Sequence, residues 1–462
     1  MSANRIEKDS FGDIEVPADA LWGAQTARSL QFFAIGSQRM PAQVIHALAW
    51  IKCAAAHVNA DLGRLDASKA KAIAAAARQV AEGRFDAAFP LVVWQTGSGT
   101  QSNMNVNEVV ANLASEALGG PRGIGRLVHP NDDVNLGQSS NDVFPSAMHI
   151  AAALALRDRL LPALRHLRAA WRDKATAFGD IIKVGRTHAQ DATPVTFGQE
   201  FGGYEAQLAL CEAAITQAAN GVQALAIGGT AVGTGLNTPP DFGPRVAAWL
   251  GRELGLPLRQ ADNLFAALAG HEPLVLLHGT LRALAVALTK IGSDVRLMGS
   301  GPRAGIGELQ LPENGPGSSI MPGKVNPTQV EALTMVCAQV FGHDAAIAFA
   351  ASQGQFELNV YKPVIIADAL DSITLLADAM RSFADHCVRG LDVNRARVDA
   401  LLGASLMLVT ALAPHIGYDR AARIAKHAHA QGLGLREAAL ELGELGADDF
   451  DRWVQPRSML GH

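Results

Sequence analysis

The chain has 462 residues, which suffice for a large core and suggest two to four domains. Its 39 Lys and Arg residues against 44 Asp and Glu residues give a net charge of −5, which argues against a general nucleic-acid binder because such proteins carry a basic surplus. Aromatic residues make up only 5% of the sequence, whereas the good helix formers alanine and leucine are plentiful, so the composition favours an all-α protein.

The sequence predicts neither a targeting segment nor a metal or disulfide framework. Residues 1–13 carry five charged side chains, which leaves no apolar core for a signal peptide. The uncharged stretch 213–240 is interrupted by polar residues and glycines, so we expect no membrane span there. The four cysteines are scattered without CxxC spacing, which argues against disulfides or an iron–sulfur cluster. We therefore expect a soluble cytoplasmic protein.

Apolar residues repeated every three or four positions predict long helices in the middle of the chain. In chain order, the repeats cover residues 161–178, 201–225, 274–298, 330–341 and 366–387. A mean spacing near 3.5 is typical of helices that pack almost parallel. Because these apolar faces are too extensive for one chain to cover, we predict a long helical bundle that continues across subunits. A single monomeric bundle is the alternative.

The two ends of the chain carry weaker patterns. Residues 1–138 combine short helical patterns with loops, and after about residue 393 the repeats shorten and are broken by proline and glycines. We predict an N-terminal domain at 1–138, a central long-helix bundle at 139–393 and a small C-terminal helical domain at 394–462.

Several common catalytic motifs are absent. The sequence contains no GxGxxG, GxSxG or HExxH motif, and residues 317–324 lack the spacing and the Ser or Thr of a P-loop. These observations set aside dinucleotide, serine-hydrolase, zinc-protease and P-loop functions.

Four polar, glycine-containing segments are candidates for the functional site. They are TGSGTQSNMN at 96–105, GQSSND at 137–142, GRTHAQ at 185–190 and GSSIMPGKVNP at 317–327. Their hydroxyl and amide donors, with one lysine, suit a small dianion that is held without a metal. Any one of them could be a turn or a helix cap, but four in one chain indicate a binding site.

Residues 317–327 also predict the start of a helix. Asn326 would be the cap, Pro327 would occupy the first position and Gln329 would complete a capping box. Lys324 would then lie beside a helix N-terminus, where free N–H groups and the helix dipole attract anions.

These segments resemble the fumarase/aspartase superfamily. Residues 317–327 match its GSSxMPxKxNP signature at every fixed position, and TGSGT, HPND at 129–132, SSN at 139–141 and GRTH resemble class II fumarate hydratases. The resemblance extends from residue 11 to the C-terminus. It implies a homotetramer with five long helices per subunit in a central bundle, active sites shared by three subunits, and no metal or organic cofactor.

The resemblance also implies an activity, the reversible hydration of fumarate to (S)-malate through an aci-carboxylate carbanion. Ser318 would be the base that acts on carbon, His188 would serve the water, and Glu331 would polarise His188. The residues implied to bind the two carboxylates of these small substrates are Ser98, Thr100, Ser139, Ser140, Asn141, Thr187, Ser319, Lys324 and Asn326. A second anion site is implied at Arg126, His129, Asn131 and Asp132, although this stretch is also typical of a plain turn.

Ser318 needs an activating environment, because an ordinary serine hydroxyl is too weak an acid to act as an alkoxide near pH 7. The sequence offers Lys324, the N–H groups of the loop and the adjacent helix N-terminus as sources of a positive field.

Two other functions stay open from the sequence. Aspartate ammonia-lyases share the fold and the carbanion chemistry, although TGSGT and the pair Asp132 and Asp133 look more like the hydratases. A non-catalytic scaffold of the same fold is the second alternative, as in lens crystallins of this superfamily. The joint presence of Ser318, His188, Lys324 and Glu331 argues against it.

Overall fold

The computed structural model describes residues 4–315 and 317–461. Over this part of the chain helices predominate and the strands form only two-stranded pairs, so the all-α prediction is confirmed. Three strand pairs are antiparallel, and β5 with β6 is parallel. The strands are β1 Asn4–Asp9, β2 Gly12–Pro17, β3 Ile182–Thr187, β4 Gln190–Thr196, β5 Ala224–Leu225, β6 Arg259–Gln260, β7 Leu309–Gln310 and β8 Asp392–Val393.

The helices are joined by connections of very different length, the longest lying between α10 and α11. They are α1 Ala24–Phe32, α2 Ala42–Asp61, α3 Ala67–Ala81, α4 Thr100–Ala117, α5 Ser140–Ala155, α6 Leu161–Ala177, α7 Phe197–Ala219, α8 Phe242–Leu254, α9 Leu264–Ala269, α10 Glu272–Met298, α11 Thr328–Ala351, α12 Lys362–Phe383, α13 Arg395–Ala404, α14 Ala413–Ile416, α15 Tyr418–Gln431, α16 Leu435–Glu441 and α17 Ala447–Trp453. Single π-helical turns occupy Pro130–Val134, Leu156–Leu160 and Ala384–Val388.

The chain divides into two compact units. The first unit comprises Met1–Pro162, Cys211–Ala285 and Ala338–Ala377. The second comprises Ala163–Leu210, Val286–Cys337 and Asp378–His462. The three domains expected from the sequence pattern stay a prediction.

The long apolar repeats form long helices, as predicted. Helices α7, α10, α11 and α12 have 23, 27, 24 and 22 residues. Every member of the α10 repeat, from Leu274 to Met298, is at most 4% exposed. In α11 the repeat continues through buried Val340 rather than Phe341, which is 38% exposed.

Helices in the N-terminal part are longer than the short patterns expected there. Helices α2, α3 and α4 have 20, 15 and 18 residues. Thirteen residues of α2 are buried, many of them alanines, so the helix is apolar around most of its circumference. A helix buried on nearly all sides has no polar face, and its sequence therefore shows little periodicity.

The second unit has an aromatic centre. The ring of Trp171 on α6 lies 5.1 Å from that of Phe201 and 5.2 Å from that of Tyr204, both on α7. Such tilted and edge-on pairs stabilise a core by about 0.5–1.5 kcal/mol beyond the area they bury. In the same unit, the C-terminal helices enclose a cluster of their own around Leu412 and Ile424.

Exposed apolar side chains lie on three of the long helices and form rows on α10 and α11. Leu210 on α7, Leu276, Val286 and Leu297 on α10, and Met335 and Phe349 on α11 are each more than half exposed. Helices α10 and α11 are also long and apolar enough to cross a membrane by length and composition alone. Apolar rows of this extent in water mark surfaces that another molecule covers.

Candidate active site

In the first unit, two hydroxyl groups lie at the start of α4. Gly99 has φ +77°, a conformation that favours glycine, and it turns the chain into the helix. The Oγ of Ser98 and the Oγ1 of Thr100 lie 2.8 Å apart and form a hydrogen bond. They therefore stand at a helix N-terminus, where the backbone dipole favours an anion.

A second group of predicted site residues lies at the start of α5. Ser139 caps this helix in a capping box with Asp142. Ser140 and Asn141 follow in the first turn, where the Asn141 side chain donates to the carbonyl of Ala231 at 2.8 Å. All three predicted residues are partly exposed.

A hydrogen bond joins the two helix starts. The Nδ2 of Asn103 on α4 donates to the Oγ of Ser140 on α5 at 2.8 Å. The first unit thus brings together five predicted substrate-binding residues on two helix N-termini, an arrangement suited to a carboxylate. Asn103 was not singled out in the sequence, where it is one of many polar residues in α4.

The loop before α4 is packed too tightly to accept a side chain at Gly97. A Cβ there would lie 1.3 Å from the carbonyl oxygen of Val360, and the Gly97 carbonyl accepts a hydrogen bond from the Lys362 N–H at 3.0 Å. We expect Gly97→Ala to lower the free energy of unfolding by about 1–3 kcal/mol, the usual cost of overpacking. Urea unfolding measures this loss.

The matched control is Gly403→Ala on α13, where an added Cβ would meet no atom within 4 Å. Alanine is the better helix former, so this variant should unfold no earlier than the wild type. Equal stability of the Gly97→Ala protein and the wild type would contradict the packing argument.

In the second unit, Thr187 and His188 lie on a β-hairpin. Thr187 ends β3 and pairs with Gln190 at the start of β4. The two-residue turn consists of His188 and Ala189, with φ +55° and +58°. Such values at non-glycine residues are uncommon and cluster at functional sites. The imidazole is exposed at the tip of the hairpin.

Buried charges anchor this hairpin. The guanidinium of Arg186 makes two hydrogen bonds to the carboxylate of Glu308, at 2.9 and 2.7 Å. The ammonium of buried Lys183 lies 3.4 Å from Glu308 and 3.3 Å from Glu200. A bidentate Arg–carboxylate pair fixes orientation as well as distance, so it holds the turn with His188 in place. Sequence analysis missed this network because its members are far apart in the chain.

Residues 317–326 form a loop closed on itself. The Asn326 side chain donates to the carbonyl of Gly317. The Oγ of Ser318 accepts from the backbone N–H groups of Ile320 and Met321 at 3.3 and 3.1 Å. Beside the loop lies a cleft of about 270 Å³, lined by Glu313, Gly315, Gly317, Gly323, Lys324 and Val325.

The predicted capping box at the start of α11 is wrong. The helix begins at Thr328, and the first helical carbonyl is that of Pro327. The side chain of Asn326 closes the loop instead of capping, and Gln329 accepts from Ser382 at 2.7 Å. Lys324 nevertheless lies a few residues before a helix N-terminus, as expected.

The remaining predicted residues of this unit are open to solvent. Ser319, Lys324 and Glu331 are exposed, with Glu331 in the first turn of α11. Over residues 4–315 and 317–461, the side chains of His188 and Glu331 have no hydrogen-bond partner. The predicted pairing of these two residues stays a prediction.

The segment of the second predicted anion site is an ordered turn. The Nδ1 of His129 accepts from the N–H of Asp132 at 3.1 Å, and Asn131 is exposed. Arg126 is already paired with the fully buried carboxylate of Glu7, although its Nη1 is buried without a hydrogen-bond partner. Three of the four residues therefore share one turn, and the fourth has a structural partner.

All four cysteines are free and buried. Within the described ranges, no group of three or more His, Cys, Asp or Glu side chains is placed to hold a metal ion. The expectation that no cofactor is needed stays a prediction.

Comparison with known proteins shows which family the chain resembles. A family model described as lyase matches residues 12–342, and one described as fumarase C C-terminus matches residues 408–461. The chain is 63% identical to a fumarate hydratase class II of Chromobacterium violaceum and 62% identical to one of Thermosynechococcus vestitus. These matches cover 99% of the chain in both cases, and 99% and 98% of the two relatives.

A solved structure shows the same fold. The recombinant class II fumarase from Schistosoma mansoni superposes with a TM-score of 0.97 at 47% identity, over 99% of both chains. The chain therefore belongs to the class II fumarate hydratase family of lyases.

Proposed function

We propose that this chain catalyses the reversible hydration of fumarate to (S)-malate, the reaction of the tricarboxylic acid cycle. The observation that carries the proposal is the loop at 317–326, which gives the Ser318 hydroxyl two backbone N–H donors. In the dehydration direction a base must remove a weakly acidic proton beside a carboxylate. The resulting carbanion survives only when its charge flows into that carboxylate and meets preorganised donors.

Ser318 is the proposed base for carbon. A serine oxygen that accepts hydrogen bonds from N–H groups is stabilised in its ionised form. The N–H groups of Ile320 and Met321 supply this stabilisation, and the cationic side chain of Lys324 belongs to the same loop. Elimination then passes the electron pair of the broken C–H bond into the new double bond as hydroxide departs from the neighbouring carbon.

The substrate is a dianion, and its two carboxylates need donors. We assign this role to Lys324 and to the hydroxyl and amide groups at the starts of α4 and α5. The full set is Ser98, Thr100, Ser139, Ser140, Asn141, Thr187, Ser319, Lys324 and Asn326. Charge-assisted hydrogen bonds to carboxylates are roughly twice as strong as neutral ones, so a set dominated by donors favours the aci-carboxylate.

His188 is proposed to act on the water. Its exposed position on a rigid hairpin lets it protonate departing hydroxide, or take the proton from water in the hydration direction. Glu331 would polarise this imidazole from a neighbouring copy of the chain. We propose that the reaction needs no metal or organic cofactor, because the side chains named here can perform each proton transfer.

A second anion site on the turn around His129, Asn131 and Asp132 is proposed as a weaker binding place, with the unpaired Nη1 of Arg126 as a further donor. The exposure of His129 allows a ligand to reach it.

We propose that the chain works as a cytoplasmic homotetramer whose active sites combine residues of three subunits. The exposed apolar side chains of α7, α10 and α11 support this proposal, since neighbouring helices of other copies would cover them. Sedimentation without detergent tests it: a particle with the mass of four chains supports the tetramer, and a stable monomer contradicts it.

One assay separates the candidate activities. Purified protein is mixed with fumarate in plain buffer, and the ultraviolet absorbance of the conjugated double bond is followed. Loss of absorbance without ammonia supports the hydratase. Activity that depends on ammonia would identify an aspartate ammonia-lyase, and no change would indicate a non-catalytic scaffold.

A further inference from the structure

Lys52 is a fully buried lysine in the middle of α2. Its ammonium donates to the Oδ1 of Asn135 and to the Oε1 of Gln138, both at 2.9 Å. These two acceptors belong to the short stretch that leads into the cap of α5. The ammonium bridges two side chains of this stretch and favours one geometry for it, because among the described residues the Gln138 oxygen has no other donor.

Asn135 extends the network towards the predicted substrate-binding residues. Its Oδ1 also accepts from the Nδ2 of Asn103 at 3.3 Å and from that of Asn107 at 3.2 Å. Asn103 in turn donates to the Oγ of Ser140 at 2.8 Å. The ammonium of Lys52 is therefore linked to the hydroxyl of Ser140 through two asparagine side chains.

A second path from Lys52 is shorter. Gln138, which accepts directly from the ammonium, immediately precedes the cap residue Ser139. The other end of the Gln138 side chain donates to the carbonyls of Val134 and Leu136 at 3.1 and 3.2 Å. The Gln138 amide is thus hydrogen-bonded at both ends. The position of Lys52 therefore restrains the backbone at Ser139, the next residue in the chain.

The negative charge that acts on Lys52 belongs to Asp142 on α5. The Asp142 carboxylate accepts from the backbone N–H groups of Ser139, Gly228 and Thr230 at 2.9, 3.0 and 2.9 Å. Burial lowers the pKa of Lys52 to about 7, and the carboxylate of Asp142 opposes this shift. Burial likewise raises the pKa of Asp142 to about 6, against its hydrogen bonds and the charge of Lys52.

Asp142 supplies the negative charge that acts on Lys52. The other groups around the ammonium are neutral side-chain amides of α4 and of the stretch before α5. The lysine therefore lies between neutral acceptors and one carboxylate, behind two helix N-termini that face the proposed dianion.

We infer that Lys52 is a positioning residue for substrate binding, which orients residues 139–141 and supplies a positive field behind them. The inference rests on the proposed function, since it concerns the same site. When Lys52 loses its proton above about pH 7, the hydrogen bonds can persist but the field weakens, so the affinity for a dianion should fall.

The test compares Lys52→Met with Lys362→Met. Lys362 is a matched control because it is also buried, its pKa is also lowered to about 7 by burial, and its ammonium donates to the Asn359 carbonyl instead. For each protein, kcat and KM for fumarate are measured from pH 6 to 9, with calorimetric binding of succinate as a non-reacting dicarboxylate.

We expect Lys52→Met to raise both KM for fumarate and the Kd of succinate roughly tenfold at pH 6.5, because one nearby positive charge is lost. The change in kcat should be far smaller. The rise of KM above about pH 7 should be altered in Lys52→Met, because the titrating lysine is gone and the pKa of Asp142 rises without its charge, and it should persist unchanged in Lys362→Met. A merely structural role would reduce the folded fraction, and hence kcat, without altering the pH dependence of KM.

A Lys52→Met protein with the KM and pH profile of the wild type, or with lowered kcat alone, would overturn the inference. If this variant does not fold, Lys52→Gln is used, which removes the charge but keeps an N–H donor, and the same KM criterion applies. A wild type without hydratase activity contradicts the proposed function. An active wild type whose Lys52 variant keeps its KM contradicts only the role of Lys52.

Discussion

Replacing His188 with asparagine should lower kcat for fumarate hydration by ~10²–10⁴-fold, the usual contribution of a general acid–base group. The loss should fall on kcat because the imidazole acts on water during the reaction. Asparagine suits the test, since it tolerates the left-handed backbone that His188 adopts at φ +55°. Because the imidazole is exposed and has no partner within the described ranges, its removal leaves no buried group unsatisfied.

Steady-state kinetics with circular dichroism and sedimentation measure the outcome. His429→Asn, the same change at an exposed position on α15, is the control and should keep wild-type kcat. Near-normal turnover in His188→Asn would refute the proposed role. A loss of helicity would instead show that the substitution had unfolded the protein.

Ser318→Ala should also reduce kcat by ~10²–10⁴-fold, because it removes the proposed base for carbon. It should further abolish the exchange of the C3 hydrogen of malate with solvent, which reports carbanion formation directly. The fold should be kept, because the N–H groups of Ile320 and Met321 lie in an exposed loop where water can replace the lost oxygen.

Ser319→Ala provides the comparison within the same loop. Ser319 is assigned to carboxylate binding, so its removal should raise KM for fumarate more than it lowers kcat, and solvent exchange at C3 should continue. If Ser318→Ala exchanged this hydrogen at the wild-type rate, another residue would have to be the base. The pair of variants therefore separates binding from proton abstraction.

Much of the fold could be predicted from the sequence because the buried faces of its long helices repeat apolar residues every three or four positions. The repeat from Leu274 to Met298 is buried throughout, and α7, α11 and α12 follow the same rule. The sequence pattern was less informative for α2, because this alanine-rich helix is buried on most sides and its apolar residues show no clear period. It missed the hairpin at His188, because two short strands between long helices leave little periodic signal.

The segments of the candidate site could be located from the sequence, but the contacts of their side chains could not. Local spacing and the superfamily signature identified the four polar segments, and the structure places Ser139 and Thr100 at helix starts, where the backbone dipole favours an anion. Local spacing was misleading at Asn326. Its side chain could either cap α11 or close the loop onto Gly317, and only the folded loop shows that the second bond forms.

The sequence by itself determined the fold class, the long helices and the segments proposed to carry the chemistry, because each depends on residues close together in the chain. Tertiary structure decided the partners of the buried charges: Glu308 with Arg186, Glu7 with Arg126, and Lys52 with the stretch before α5. The physical reason is desolvation. A buried charge must find an opposite charge or a hydrogen-bond partner wherever the fold provides one, and that partner can be more than a hundred residues away.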